Sequence, residues 1–149
     1  KFNSFACDEC RDGEFITFFN SVIDYKNWRL NYCNCGHEPT ILIRDGGVID
    51  LDKGGLVLGV DRGADYETGC LKLKKGDCLI YYTDGLIDAQ NYDGDIWTRE
   101  RMLEAAMKFI DCPADQMINN ILAYRRRFVG LAKQIDDTSI IIVKVNAEI

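Results

Sequence analysis

The sequence predicts an α+β domain, with helices packed on antiparallel sheet. Three observations predict it. Segments rich in β-formers fill most of residues 14–83, apolar residues then recur at helical spacing over 99–128, and a last apolar strand follows at 139–145.

The elements follow in order. Residues 14–24 carry apolar groups in both alternating sets, Phe15/Thr17/Phe19/Ile23 and Ile16/Phe18/Val22, which predicts a strand covered on both faces. Tyr25-Lys26-Asn27 turns the chain into a second strand over 28–35. Segments 40–44 and 47–51 flank Asp45-Gly46, a strong two-residue hairpin signal. A glycine-rich passage over 54–63 precedes a strand over 66–73, and Lys74-Lys75-Gly76-Asp77 turns into the continuous apolar run 78–83 of a central strand. Thr98 is placed to cap a helix over 99–110 with Met102, Leu103, Ala106 and Ile110 on one face. Pro113 suits the first turn of a second helix that turns Met117, Ile118, Ile121, Leu122 and Phe128 inward. The strand over 139–145 is expected to be buried. Two helices cover one side of one sheet, so strands covered on both faces call for a further layer. That need, and a first residue that is not methionine, give the expectation of a single domain over 1–149 whose N-terminal part is missing.

The composition narrows the function. The chain has 149 residues, 47% hydrophobic and 28% charged, with two prolines, an ordinary globular balance. The net charge is -6. Nucleic-acid binding calls for a basic stripe, and the one basic run, Arg125-Arg126-Arg127, falls in a helical pattern and reads as a solvated face. No apolar stretch approaches the ~20 residues of a membrane span, and no signal peptide is visible. Seven cysteines, an odd number with several inside apolar strands, predict free thiols and a cytoplasmic protein. Cys7-x-x-Cys10 and Cys33-x-Cys35 could together supply four zinc thiolates, although Cys33 and Cys35 share one face of a strand and suit a core position.

Chemistry concentrates at two points. Asp84-Gly85 follows the strand over 78–83, and Asp136-Asp137 stands before the strand over 139–145. If those strands run antiparallel, three carboxylates meet at one sheet edge, where rigid strand ends could fix them around a hard divalent cation. Spacing alone favours a plainer reading, because Asp-Gly is a common turn and Asp-Asp a common helix-to-strand link.

The surrounding sequence turns that balance. Asn34-Cys35-Gly36-His37-Glu38-Pro39, Tyr82-Thr83-Asp84-Gly85-Leu86-Ile87-Asp88-Ala89 and Gln134-Ile135-Asp136-Asp137-Thr138-Ser139 occur in that order. Gly13-Glu14-Phe15-Ile16-Thr17, Gly55-Leu56-Val57-Leu58-Gly59, Leu73-Lys74-Lys75-Gly76-Asp77 and Gly94-Asp95-Ile96-Trp97-Thr98-Arg99-Glu100-Arg101 run between and before them. Together they resemble the PPM metal-dependent protein phosphatases of the SpoIIE/RsbU type, from about residue 12 onward. The resemblance implies a PPM-type α-β-β-α sandwich of antiparallel sheets, of which this chain is the C-terminal portion. It implies two Mn²⁺ or Mg²⁺ ions that activate water to hydrolyse phosphoserine or phosphothreonine. Asp84 and Asp136 match family metal ligands, with Asp137 sharing or orienting that role and Gly85 letting the backbone approach the site. Thr83 and Asp88 shape the loop around Asp84. His37 lies at a Gly-His turn near the site, either catalytic or, more simply, a turn-filling imidazole bonded to backbone.

The resemblance also implies an upstream sensory or receiver domain and a phosphoprotein substrate, an anti-sigma-factor antagonist. The family's first metal-binding aspartates have no match in residues 1–13, where Asp8 and Asp12 lack a preceding apolar strand. A non-catalytic interaction module with an incomplete metal site is therefore the alternative reading, and a zinc module a third. The open face of the first strand gives a further expectation, self-association of the isolated chain.

Overall fold

The structure, a computed structural model, describes residues 1–133 and 136–146. It contains α1 (Phe2–Glu9), β1 (Phe18–Asp24), β2 (Arg29–Cys35), β3 (Thr40–Arg44), β4 (Gly47–Leu51), β5 (Gly54–Gly55), β6 (Gly69–Lys72), β7 (Cys78–Tyr82), α2 (Asp84–Ile87), α3 (Arg99–Lys108), α4 (Ala114–Val129) and β8 (Ile140–Lys144). This is the α+β class expected. The chain divides into two compact units, one built from 1–41 and 49–75 and the other from 42–48 and 76–146.

In the first unit β1 and β2 pair antiparallel from Phe18↔Cys35 to Asp24↔Arg29, and β6 pairs antiparallel with β2 from Arg29↔Lys72 to Tyr32↔Gly69. The two-residue β5 adds a parallel pair, Asn34↔Gly54. Ala6, Cys35 and Leu58 form a small core against which Cys10, Phe18, Cys33 and Tyr66 pack. The first strand is shorter than expected, and on the face expected to lack cover in this chain Phe18 packs on Phe2 and that core while Val22 is 58% exposed. Ile16 pairs with Leu58 through an isolated antiparallel bridge.

The second sheet has the order β4-β3-β7-β8. Its hairpin is the expected one, because Asp45 (φ 51°) and Gly46 (φ 75°) both take the left-handed conformation that a tight two-residue turn requires. β7 is central, and Leu79 and Ile80 are fully buried. β8 pairs antiparallel with it from Cys78↔Lys144 to Tyr82↔Ile140. The last strand is not buried throughout: Ile142 and Val145 face inward, whereas Ile141 is 60% exposed, because β8 forms the sheet edge and has α4 on one face only. α3 buries Met102, Ala105 and Ala106, and α4 packs beside it.

Two helix expectations are corrected. Thr98 stands at the N-cap of α3 but takes φ 63° and makes no capping bond. Its hydroxyl bonds instead to the Glu100 carboxylate, which that bond holds below the usual range. The basic run is not a uniformly solvated face: Arg126 and Arg127 are exposed, but Arg125 is buried with Met117 and Ile121.

All seven cysteines are free thiols. Cys33 and Cys35 lie with their sulfurs 3.9 Å apart on one strand face, and burial beside Cys33 pushes the Cys35 thiol up to about 11. Burial raises Cys78 as well. Low thiolate content makes both poor nucleophiles. Thiol titration of the chain denatured without reductant should find close to seven groups. Two stable disulfides per chain, or one bound zinc, would contradict this arrangement.

Candidate functional site

The pairing of β7 with β8 sets the site. One residue past the last pair, the Thr83 N–H donates to Ser139 O at 3.2 Å and the Ser139 N–H donates to Thr83 Oγ1 at 3.0 Å. Thr83 Oγ1 in turn donates to Asp137 O at 3.2 Å. One hydroxyl thereby stitches the loop leaving β7 to the loop entering β8. The antiparallel condition inferred from sequence holds, and Asp84 and Asp136-Asp137 stand at the same end of the strand pair.

Gly85 makes the close approach possible. A Cβ at this position would lie 2.2 Å from Asp137 O and 2.9 Å from its carbonyl carbon, so any other residue must push the two loops apart. Thr138 Oγ1 donates to Gly85 O at 3.1 Å, a second link across the same gap. Asp84 Oδ1 accepts the Gly85 N–H at 2.9 Å and Asp136 Oδ1 accepts the Asp137 N–H at 2.7 Å, which fixes one oxygen of each carboxylate. Asp84, Asp136 and Asp137 are all exposed. Oxygen donors on two abutting strand ends have the chemistry that suits a hard divalent cation. Among the described residues, however, no three His, Cys, Asp or Glu side chains are grouped to hold a metal ion.

His37 lies in the first unit. Its backbone is clamped by the buried Asn34, whose Oδ1 accepts the His37 N–H at 2.8 Å while its Nδ2 donates to His37 O at 2.9 Å. The imidazole is bonded to a side chain and not to backbone as expected: Nδ1 and Thr17 Oγ1 share a hydrogen bond of 3.2 Å. Asp88 is exposed, and its N–H closes the short α2 on Asp84 O at 2.9 Å.

Sequence reasoning read Arg125 as part of a solvated face and gave Thr138 no role of its own. From α4 the Arg125 guanidinium donates to Gly85 O at 2.9 Å, Leu86 O at 3.1 Å and Thr138 Oγ1 at 3.1 Å. The signal was present in the spacing, since Met117, Ile121 and Arg125 recur every four residues on one helix face.

Residues 1–146 match the family Stage II sporulation protein E (SpoIIE). The chain belongs to the SpoIIE family. It is 28% identical to Phosphoserine phosphatase RsbU of Bacillus subtilis over 109 residues, which are 72% of this chain and 32% of RsbU. Its fold is shared with the RsbU and RsbW domains of Rv1364c from Mycobacterium tuberculosis, at a TM-score of 0.73 and 23% identity across 89% of this chain and 37% of that one. It is shared too with the catalytic domain of the serine/threonine phosphatase PstP, solved in complex with two manganese ions, at a TM-score of 0.66 and 17% identity across 97% of this chain and 67% of PstP. The mixed α+β architecture is thus that of the PPM phosphatases, and this member of the SpoIIE family spans about a third of the length of RsbU. Among the described residues no helix is long and apolar enough to cross a membrane.

Proposed function

We propose that this chain is the C-terminal portion of a SpoIIE-type phosphatase domain that hydrolyses phosphoserine or phosphothreonine on a cytoplasmic signalling protein. The observation that carries the reading is the stitched pair of loops, which sets Asp84 and Asp136 at one strand end. In this reading Asp84 and Asp136 hold Mn²⁺ or Mg²⁺, Asp137 shares or orients that role, and Gly85 admits the close backbone approach. A divalent ion held there would supply Lewis acidity, lowering the pKa of bound water and offsetting charge on the phosphoryl oxygens. The chain's own part is to fix carboxylate oxygens at a rigid strand end and to hold the two turns together through Thr83 and Thr138. His37, tied to Thr17 and Asn34, is read as a residue that fills the turn after β2. The family resemblance supports an upstream sensory or receiver domain and a phosphorylated anti-sigma-factor antagonist as substrate.

One observation favours a second reading, a non-catalytic interaction module on the same fold: no group of three metal-binding side chains forms among the described residues. Calorimetric titration with Mn²⁺, run beside a p-nitrophenyl phosphate assay, separates the two. An intact protein containing this chain should bind two ions and turn over. This chain alone should bind Mn²⁺ weakly and hydrolyse nothing at a useful rate, since two divalent ions close together repel unless several carboxylates lie between them. Tight double binding and robust turnover by the chain alone would show that the ligands have been misplaced. An intact protein without metal-dependent hydrolysis would support the interaction module.

A further inference from the structure

The geometry points to Arg125 as a positioning residue for the proposed metal site, holding the Asp84-Gly85 turn and the Asp136–Thr138 turn in one fixed arrangement. This rests on the reading of Asp84 and Asp136 as metal ligands.

Arg125 is 9% exposed, and its hydrogen-bond partners among the described residues are two carbonyls and a hydroxyl. A buried charge without a carboxylate beside it is costly to keep. Burial accordingly pushes the guanidinium pKa down. Helix packing does not explain that cost, because Met117 and Ile121 fill the same face of α4 with apolar side chains. What Arg125 adds is a planar fork that reaches two separate turns at once. One terminal nitrogen bonds both Gly85 O and Thr138 Oγ1, and Thr138 Oγ1 bonds Gly85 O, so the three groups close a triangle across the loop junction. Nε takes Leu86 O and sets the fork's plane. Each turn is one residue from an aspartate assigned to the metal: Gly85 follows Asp84, and Thr138 follows Asp136-Asp137. With the triangle intact, the two carboxylate-bearing turns keep a constant separation. Without Arg125 the turns keep the Thr83 bonds and the single Thr138–Gly85 bond, and lose the group that ties both to α4. Lysine cannot replace the fork, since a single ammonium on a flexible stem does not fix a plane.

The test uses the intact protein containing this chain, with Arg125→Met, Arg125→Lys and, as a control, the exposed neighbour Arg126→Met. Amide hydrogen exchange without metal should accelerate in both Arg125 variants over 83–88 and 136–139, while β2 and β3 stay as in the parent. The Mn²⁺ concentration for half-saturation, read by calorimetry, should rise roughly tenfold to a hundredfold, the usual effect of removing an outer-shell partner of metal ligands. KM for the phosphorylated substrate should hold steady, and Arg126→Met should match the parent. If Arg125→Met does not fold, Arg125→Lys and Thr138→Val carry the comparison. Parent-like exchange and Mn²⁺ affinity in a folded Arg125 variant would overturn the assignment, as would acceleration spread evenly over the whole chain. A parent that binds no Mn²⁺ would remove the phosphatase reading, and hydrogen exchange would still decide whether Arg125 holds the two turns.

Discussion

Replacing Asp84 by asparagine in the intact protein should lower Mn²⁺-dependent hydrolysis of p-nitrophenyl phosphate at least about tenfold, ~1.4 kcal/mol of transition-state stabilisation. The substitution is chosen because it preserves shape. Asparagine keeps an oxygen able to accept the Gly85 N–H that Asp84 Oδ1 accepts now, so the turn into α2 stays supported. What disappears is one negative charge at a strand end proposed to face divalent ions. Asp136→Asn removes the corresponding charge from the other loop and should act in the same direction. Asp93→Asn, on an exposed turn residue, is the control. Half-saturation by Mn²⁺ should rise alongside the fall in turnover. An Asp84→Asn protein with full activity and unchanged metal response would remove Asp84 from the site.

The largest loss of stability is expected at Asp77. Its carboxylate accepts from Arg44 Nε at 2.8 Å and from a terminal nitrogen of the same guanidinium at 2.6 Å, a two-point ion pair in which Asp77 is 1% exposed and Arg44 18%. Asp77→Ala leaves that guanidinium without its fork partner, and breaking one side of a buried pair costs about 3 kcal/mol or more. For a chain of this size that corresponds to a drop of roughly 6–12 °C in melting temperature. The backbone bonds that close this end of the sheet, from Val145 N to Asp77 O and from Gly76 N to Val145 O, survive the substitution, so the loss reports the Asp77 side chain. Adding Arg44→Met to Asp77→Ala should recover part of the loss, since no guanidinium is then left facing the deleted carboxylate. Asp93→Ala, in an exposed turn, should leave the melting temperature nearly unchanged. A shift at Asp77 no larger than that of the control would mean the pair contributes little.

What could be read from sequence divides along a physical line. The hairpin over 40–51 was legible because Asp45-Gly46 specifies a turn locally, with no help from the rest of the chain. The run at 78–82 was legible as a central strand because burial on both faces leaves a continuous apolar string. The strands over 78–83 and 139–145 brought Asp84 beside Asp136-Asp137 on the condition that they pair antiparallel, and the family resemblance gave those aspartates their chemical role. The helix α1 was not legible, because its pattern points the wrong way: Phe2 and Phe5 face outward while Asn3 and Ala6 are buried. Asn3 is held there by bonds to Asp61 O and from the Gly59 N–H, partners more than fifty residues away that no local pattern reveals. Arg125 was missed for a related reason. A charge inside a basic run reads as solvated unless its acceptors are known, and here they are carbonyls on a distant turn.

The stitch between Thr83 and Ser139 joins positions 56 residues apart, and this governs when the site can exist during synthesis. β3 and β4 have each other within a few residues of leaving the ribosome. β7 emerges with β3 already made on one side and nothing on the other. At ~5–20 residues per second, roughly 3 to 11 seconds pass before Ser139 follows Thr83. Throughout that interval Asp84 sits beside an open strand edge, without the neighbour that brings Asp136 to it. A polypeptide released before β8 is complete would hold most of both sheets and have no means of setting the two aspartates together. Their pairing is therefore a record that translation has passed β8.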